Sequence, residues 1–573
     1  MDSVSDVQPL TGDGFRFRSG DANFSRPAGQ RSRFARRSYD DEAGGDDAGD
    51  DSNALKQALL GYADGEDEDE EAPEETRQTR PERGTAEARA RVASPPTARL
   101  SRGATENGGA GSDGEPDEDL SGFRPKVTTR AAPAPGGSSR QAFFAGCEWA
   151  DLGVGEELCA ALAAIGAARP SHVQASAWKA LSAVGGANPH VAITDAAGSG
   201  KTLAYLVPLL AQLRAAEAAG APRAGGCAPR VVVLAPTAEL CAQILATCRA
   251  LSASGVRLRS CAMTGGHAAR TQVEALKQGV DVLVATPGRL ATLVDGAAVR
   301  LTDCRALVLD EADVLAGPNS EFTDALSPIL AGLGPGCRRL LVTATLPEET
   351  QAHLRAQLLG GAAPQRASGP GLHKPSAGLE ECLVDCSPAP RGGGGGEDSS
   401  AGAYPPGMLS ERAVFRRKAE ALLRVLCSSD AATAGVPCLV FCNTLEKCRD
   451  VENYLRRRDR AGARFALHAM HAAISPPMRQ AALEALKAPP AGAGAPTPVV
   501  VATDRASRGL DCAAVGHVVL FDFPRDPSEY VRRVGRTARG AGGTGRVTAL
   551  VLGAQVGLAR QIMERNAEGQ ALL

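Results

Sequence analysis

The sequence predicts an α/β protein: two tandem parallel-sheet domains behind a disordered acidic N-terminal tail. Three observations predict it. Short β-branched runs alternate with alanine- and leucine-rich stretches, and the alternation occurs twice along the chain. A Gly-, Ala- and Pro-rich break, Gly360–Gly378, separates the two series. The first 140 residues carry too little apolar surface to offset the entropy of ordering them.

The elements follow in chain order. Residues 1–140 form the tail, with the acidic run Glu66–Glu71 and the Pro/Gly-rich stretch Pro133–Ser139; only Asn53–Tyr62 has the pattern of a brief amphipathic turn. Arginines at 16, 18, 31, 33, 36 and 37 are similar to those of an organellar transit peptide, but Asp2, Asp6, Asp13 and Asp21 break that pattern. The first domain, residues 141–362, has expected strands at Val191–Thr194, Val231–Ala235, Asp281–Ala285, Ala306–Leu309 and Leu340–Thr343. Residues 363–378 are expected to be the interdomain linker. The second domain, residues 379–573, has expected strands at Cys438–Phe441, Arg464–Leu467, Val499–Ala502, Val518–Phe521 and Val547–Leu552. Within it, residues 388–406 with their five-glycine run are expected to be a surface insertion.

Bulk properties exclude several classes. Formal charges place −9 on residues 1–140 and leave +6 for residues 141–573 of the −3 total, a balance that suits a polyanionic partner. The 15 cysteines are scattered without a CxxC pair, which points to a reducing compartment rather than a disulfide scaffold. Cys438, Cys442 and Cys448 lie closest together, where small buried thiols outweigh a metal site. No run of about 18 apolar residues is present to span a membrane.

Two motifs carry nucleotide chemistry. Asp195-Ala-Ala-Gly-Ser-Gly-Lys-Thr202 follows an apolar strand and opens a helix. Backbone N–H groups of Ala197, Gly198, Ser199 and Gly200 can approach phosphates there, Lys201 is expected to reach the β/γ-phosphates, and Thr202 to hold Mg²⁺. Asp195 stands where a small residue is usual, so its carboxylate must point away from the triphosphate. Asp310-Glu-Ala-Asp313 closes another apolar strand: Asp310 is expected to hold Mg²⁺, partly through water, and Glu311 to orient or deprotonate the attacking water. A solvated acidic turn is the alternative, and it needs the strand and the phosphate loop to be coincidental.

In this order the motifs resemble those of the DEAD-box RNA helicases of superfamily 2. The resemblance rests on Pro236-Thr-Ala-Glu-Leu240, Gly265-Gly266, Thr286-Pro-Gly-Arg289, Thr343-Ala-Thr345, Val440-Phe-Cys-Asn-Thr444, the stretch 502–511 and the stretch 530–539, and covers about residues 145–570. It implies RecA-like domains and an ATP-dependent RNA helicase that hydrolyses ATP to unwind or remodel structured RNA locally. By the same resemblance Gln174 reads the adenine, Trp149 supports its loop, and Asp504 completes the nucleotide site. Arg536 and Arg539 then reach the γ-phosphate from the second domain. RNA contacts are implied at Thr237, Gly266, Thr286, Arg289, Thr444 and Thr503, groups that bind phosphate and sugar without reading sequence.

Four positions depart from the family pattern. Ala167 stands where an aromatic stacks on adenine, Ala238 where arginine is usual, Pro476 where glutamine is usual, and Arg532 where histidine links the last motif to the cleft. Leu372-His-Lys374, Val440–Leu445 and Val518–Pro524 are similar to an organellar subgroup. That implies ribosomal RNA maturation or ribosome assembly in a chloroplast or mitochondrion, with ribonucleoprotein partners and a monomeric chain; nucleolar relatives share parts of it. An RNA clamp or assembly scaffold with little unwinding, and a DNA-directed helicase, are the competing readings.

Overall fold

The computed structural model describes residues 125–130, 143–182, 190–222, 225–265, 269–376, 378–388, 409–428, 435–487, 495–507 and 515–572. Fourteen strands run through them: β1 (Lys126–Arg130), β2 (Val191–Thr194), β3 (Val231–Leu234), β4 (Ser260–Met263), β5 (Val282–Ala285), β6 (Ala306–Asp310), β7 (Arg338–Thr343), β8 (Gln365–Ser368), β9 (Leu379–Asp385), β10 (Cys438–Cys442), β11 (Phe465–Met470), β12 (Thr497–Thr503), β13 (His517–Leu520) and β14 (Gly545–Val551).

They form two seven-stranded sheets, ordered β4-β5-β3-β6-β7-β2-β8 and β1-β9-β14-β13-β10-β12-β11. All pairings in the first are parallel. In the second all are parallel except β1 with β9. The central strands are apolar at every position because helices cover both faces. Alternate side chains feed separate cores. Val231 and Val233 pack with Val191 and Ile193 on one face, and Val232 and Leu234 with Ala192 on the other. In the second sheet Leu439 and Phe441 face one core, Cys438, Val440 and Cys442 the other.

Two expectations need correction. Residues 126–130 are not tail: they pair with β9, Lys126 opposite Asp385 and Arg130 opposite Glu381. The Arg130 side chain also donates to the Met563 carbonyl. This strand is exposed at four of its five positions, with charged ends that suit a sheet edge. Likewise residues 365–368 are not linker: β8 pairs with β2 and completes the first sheet, burying only Ala367. Strands β4 and β9 also went unanticipated. The remaining tail, residues 1–124 and 131–140, and all but Pro388 of the 388–406 insertion lie outside the described residues. Fourteen cysteines, Cys438, Cys442 and Cys448 among them, are free thiols, and no helix among the described residues is long and apolar enough to cross a membrane.

Candidate active site

The expected nucleotide residues meet at the carboxyl ends of β2, β6 and β7, where open parallel sheets bind ligands. β2 ends at Thr194, the loop 195–200 turns, and the helix Lys201–Ala218 begins. The turn needs left-handed backbone at Gly198 (φ 78°) and Gly200 (φ 89°). Space there is also closed. A Cβ on Gly200 would lie 2.4 Å from Gln174 Nε2, and one on Gly198 would lie 3.0 Å from Arg539 Cβ.

Gln174 is buried against this loop. Its Oε1 accepts from Ser171 N (2.9 Å), its Nε2 donates to Gly200 O (3.1 Å), and Ser171 Oγ donates to Ser199 O (2.9 Å). Upstream, Trp149 Nε1 donates to Ala167 O (2.8 Å), so the indole braces the segment leading to Gln174. Lys201 Nζ donates to two loop carbonyls, Asp195 O (2.9 Å) and Ala196 O (2.7 Å). Burial lowers its pKa, and the charges of Asp310 and Asp195 oppose that shift. Thr202 stands in the first turn of the same helix. The Asp195 carboxylate faces the segment after β8, where Oδ1 accepts from Gly371 N (2.8 Å).

Asp310 ends β6 and takes a hydrogen bond from Tyr205 Oη at 3.1 Å. Burial first, then the charge of Glu311, pushes its carboxyl up to about 6. Glu311 itself has φ 58°, a left-handed conformation costly for a side chain with a Cβ. Its carboxylate faces the second domain. Asp313 accepts from the hydroxyls of Thr343 (2.7 Å) and Thr345 (2.9 Å), tying the Thr343–Thr345 motif to the acidic one.

Arginines of the second domain complete this edge. Arg536 Nη2 lies 3.8 Å from Glu311 Oε1, and Arg532 Nη1 donates to Asp313 Oδ2 at 3.3 Å. Arg539 packs its stem over Gly198 and donates from Nε to Gly535 O (2.8 Å). Asp504 has a different immediate partner from the expected nucleotide: Arg533 Nε donates to its Oδ1 at 2.7 Å. Against the upward push of burial, the hydrogen bonds and charge of Arg533 hold the Asp504 carboxyl below the usual range. Arg533, only 1% exposed, was missed by the sequence reading. It also donates to Asn443 Oδ1 (2.7 Å), Asp522 O (2.7 Å) and Glu529 Oε1 (2.9 Å), and so binds three motifs of the second domain into one unit. Its place three residues before Arg536 in the 530–539 stretch was the available signal.

The expected RNA residues take the neighbouring stretch of the same edge. Thr237 and Thr286 follow β3 and β5; Thr444 and Thr503 stand at the ends of β10 and β12. Thr237 and Thr444 are N-caps, accepting from Leu240 N and Lys447 N, both at 3.2 Å. Arg289 Nε donates to Gln272 Oε1 (3.1 Å), and Gln272 Nε2 to Thr264 O (3.0 Å). Gly266 lies outside the described residues. Further ion pairs bridge the domains, Arg479–Glu239 at 3.2 Å and Arg505–Glu321 at 2.5 Å. In each bridging pair the second domain gives the arginine and the first the carboxylate.

The donor set fits a nucleoside triphosphate with a divalent cation. A buried ammonium and a helix N-terminus face the phosphate side, and a buried carboxylate whose charge is poorly compensated stands opposite. No group of three or more His, Cys, Asp or Glu side chains placed to hold a metal ion occurs among the described residues.

Comparison with known proteins agrees with this arrangement. Residues 171–353 match the DEAD/DEAH box helicase family, and residues 417–541 the helicase conserved C-terminal domain. DEAD-box ATP-dependent RNA helicase 50 of Arabidopsis thaliana is 42% identical over 427 residues, 74% of this chain and 51% of its own. The chain thus spans about half that relative's length. ATP-dependent RNA helicase dbp8 of Aspergillus oryzae is 35% identical over 377 residues, 64% of this chain and 74% of its own. In fold, the chain is similar to S. cerevisiae Dbp5 bound to RNA and ADP BeF3, with a TM-score of 0.55 at 18% identity, covering 73% of this chain and 93% of that one.

Proposed function

Because the chain belongs to the DEAD/DEAH box helicase family, we propose that it is an RNA-dependent ATPase that separates or remodels RNA strands locally. One observation carries this reading. Arg536 of the second domain lies 3.8 Å from Glu311 of the first, so the hydrolytic edge is assembled only when the domains meet.

The residues divide the work accordingly. Lys201 exchanges its hold on the loop carbonyls for the phosphates, the loop amides of residues 197–200 cradle them, and Gln174 reports adenine occupancy to the loop through Gly200. Thr202 and Asp310 would hold Mg²⁺, which when bound neutralises phosphate charge. Glu311 orients the attacking water and takes its proton. Arg536 and Arg539 stabilise charge on the transferred phosphoryl group, an effect of roughly 10³–10⁵ in related hydrolases. Arg533 holds Asp504, Asn443 and the arginine helix as one body, so closure presents Arg536 at a fixed position.

RNA lies along Thr237, Thr286, Arg289, Thr444 and Thr503, beside the nucleotide on the same strand ends. Adjacency on one edge is what lets one closure sense both ligands. ATP turnover measured with and without single-stranded RNA tests the reading; turnover indifferent to RNA would oppose it. The bridging arginine–carboxylate pairs favour a second reading, a long-lived clamp with little unwinding. Duplex separation measured beside ATP turnover distinguishes the two. The finer proposal, ribosomal RNA maturation in an organelle with ribonucleoprotein partners, draws on the organelle-like segments of the sequence. The RNA crosslinked to the protein in cells tests it, since nuclear transcripts alone would refute it.

A further inference from the structure

Asp195, the acid at the head of the phosphate loop, has a job that the nucleotide reading does not use. The residue is 4% exposed, and its Oδ1 accepts from Ala196 N (2.9 Å) and from Gly371 N (2.8 Å). Gly371 lies in the segment that leaves β8 for the second domain. Around this contact the segment is moulded to the acid. Gly369 N donates to Thr194 O (2.9 Å), and Thr194 Oγ1 and Ser368 Oγ are 2.8 Å apart. A Cβ on Gly369 would lie 2.1 Å from Asp195 Oδ2, and one on Gly371 would lie 2.7 Å from Ala196 Cβ. Two residues later the segment touches the second domain, where His373 O accepts from Leu572 N at 3.1 Å.

We propose that Asp195 is a positioning residue: its carboxylate latches the interdomain linker to the root of the phosphate loop and couples nucleotide binding to domain closure. The coupling needs no long relay. The backbone carbonyl of Asp195 holds Lys201 Nζ (2.9 Å) while its side chain holds Gly371. A triphosphate that draws the ammonium off this carbonyl acts on the residue that sets the linker, and by linkage the linker acts back on nucleotide affinity. A carboxylate oxygen is suited to the task because it accepts two backbone N–H bonds at once.

The proposal rests on the ATPase reading, but its test separates the two. Asp195→Ala, Asp195→Asn and Asp195→Glu are compared in the full chain by three readouts. These are hydrogen exchange of the Gly369–Lys374 amides without nucleotide, interdomain distance by fluorescence transfer with and without an ATP analogue and RNA, and the kcat and KM for ATP. An amide oxygen still accepts both bonds, so Asp195→Asn is expected to match wild type in Gly371 exchange and in closure. Asp195→Ala and the longer Asp195→Glu are expected to exchange Gly371 faster and close less. Their RNA-stimulated kcat should fall about tenfold, as for a lost hydrogen bond, with KM changed less than about twofold. Asp195→Asn and Asp195→Ala sharing a lowered KM would overturn the proposal, because the charge and not the latch would then matter. Unchanged exchange and closure in Asp195→Ala would also overturn it. Wild type that hydrolyses no ATP refutes the ATPase reading, and exchange and closure then still decide the latch.

Discussion

Replacing Asp310 with asparagine is expected to stabilise the first domain while destroying its function. Burial and the charge of Glu311 push the Asp310 carboxyl up to about 6 from its ordinary 3.8. A raised carboxylate costs the folded state nothing below about pH 4, where it is protonated folded and unfolded. The cost grows between about pH 4 and 6 and is complete above that. The shift of roughly two pKa units corresponds to at most about 3 kcal/mol at 1.36 kcal/mol per unit. Attraction to Lys201 is already part of that balance, and asparagine can still accept from Tyr205, so an observed gain of about 1–3 kcal/mol is expected at pH 7. The assay is built into the sequence. Both tryptophans, Trp149 and Trp178, are buried in the core of the first domain, so their fluorescence follows that domain alone during denaturant unfolding. Without nucleotide and Mg²⁺ the variant should unfold later than wild type at pH 7, with the gap closing toward pH 4. With Mg²⁺ and an ATP analogue the order should reverse, because wild type, with its metal carboxylate, gains more binding energy. Equal stability at pH 7, or a less stable variant, would refute the assignment of Asp310 as a poorly compensated buried charge.

Further outcomes are expected for the other site residues. Glu311→Gln should retain ATP and RNA while turnover falls about 10²–10⁴-fold; normal turnover would remove Glu311 from its role. Arg536→Ala should bind ATP but lose RNA-stimulated hydrolysis by about 10³–10⁵, checked by single-turnover kinetics. Deleting residues 1–130 strips β1 from β9 and the Arg130 contact with Met563. Hydrogen exchange at the β9 amides should then rise, with roughly 1–2 kcal/mol lost from the second domain; unchanged exchange would mean the edge strand contributes nothing.

What the sequence disclosed follows from how each element is stabilised. Strands such as Val231–Leu234 and Cys438–Cys442 are buried on both faces, so their apolar runs announce them. β1 and β8 are polar edge strands whose partners are residues 379–385 and 191–194, and no local periodicity encodes such pairings. The same division runs through the site. Lys201, Asp310 and Glu311 are carried by local spacing, and the fold brings them to one edge. Asp195 was visible as an odd residue, but its partner Gly371 lies 176 positions away. Arg533 has four acceptors, and no local pattern on its basic helix encodes them. Its burial is a property of the folded second domain, not of the helix.

ATP hydrolysis and RNA binding are proposed to share one interdomain edge. The most direct measurement is ATP turnover of the full chain with matched RNA and DNA single strands, beside separation of a short RNA duplex. RNA should stimulate turnover, DNA should not, and the duplex should separate only with ATP. RNA held tightly by a wild-type protein that hydrolyses no ATP would contradict the account.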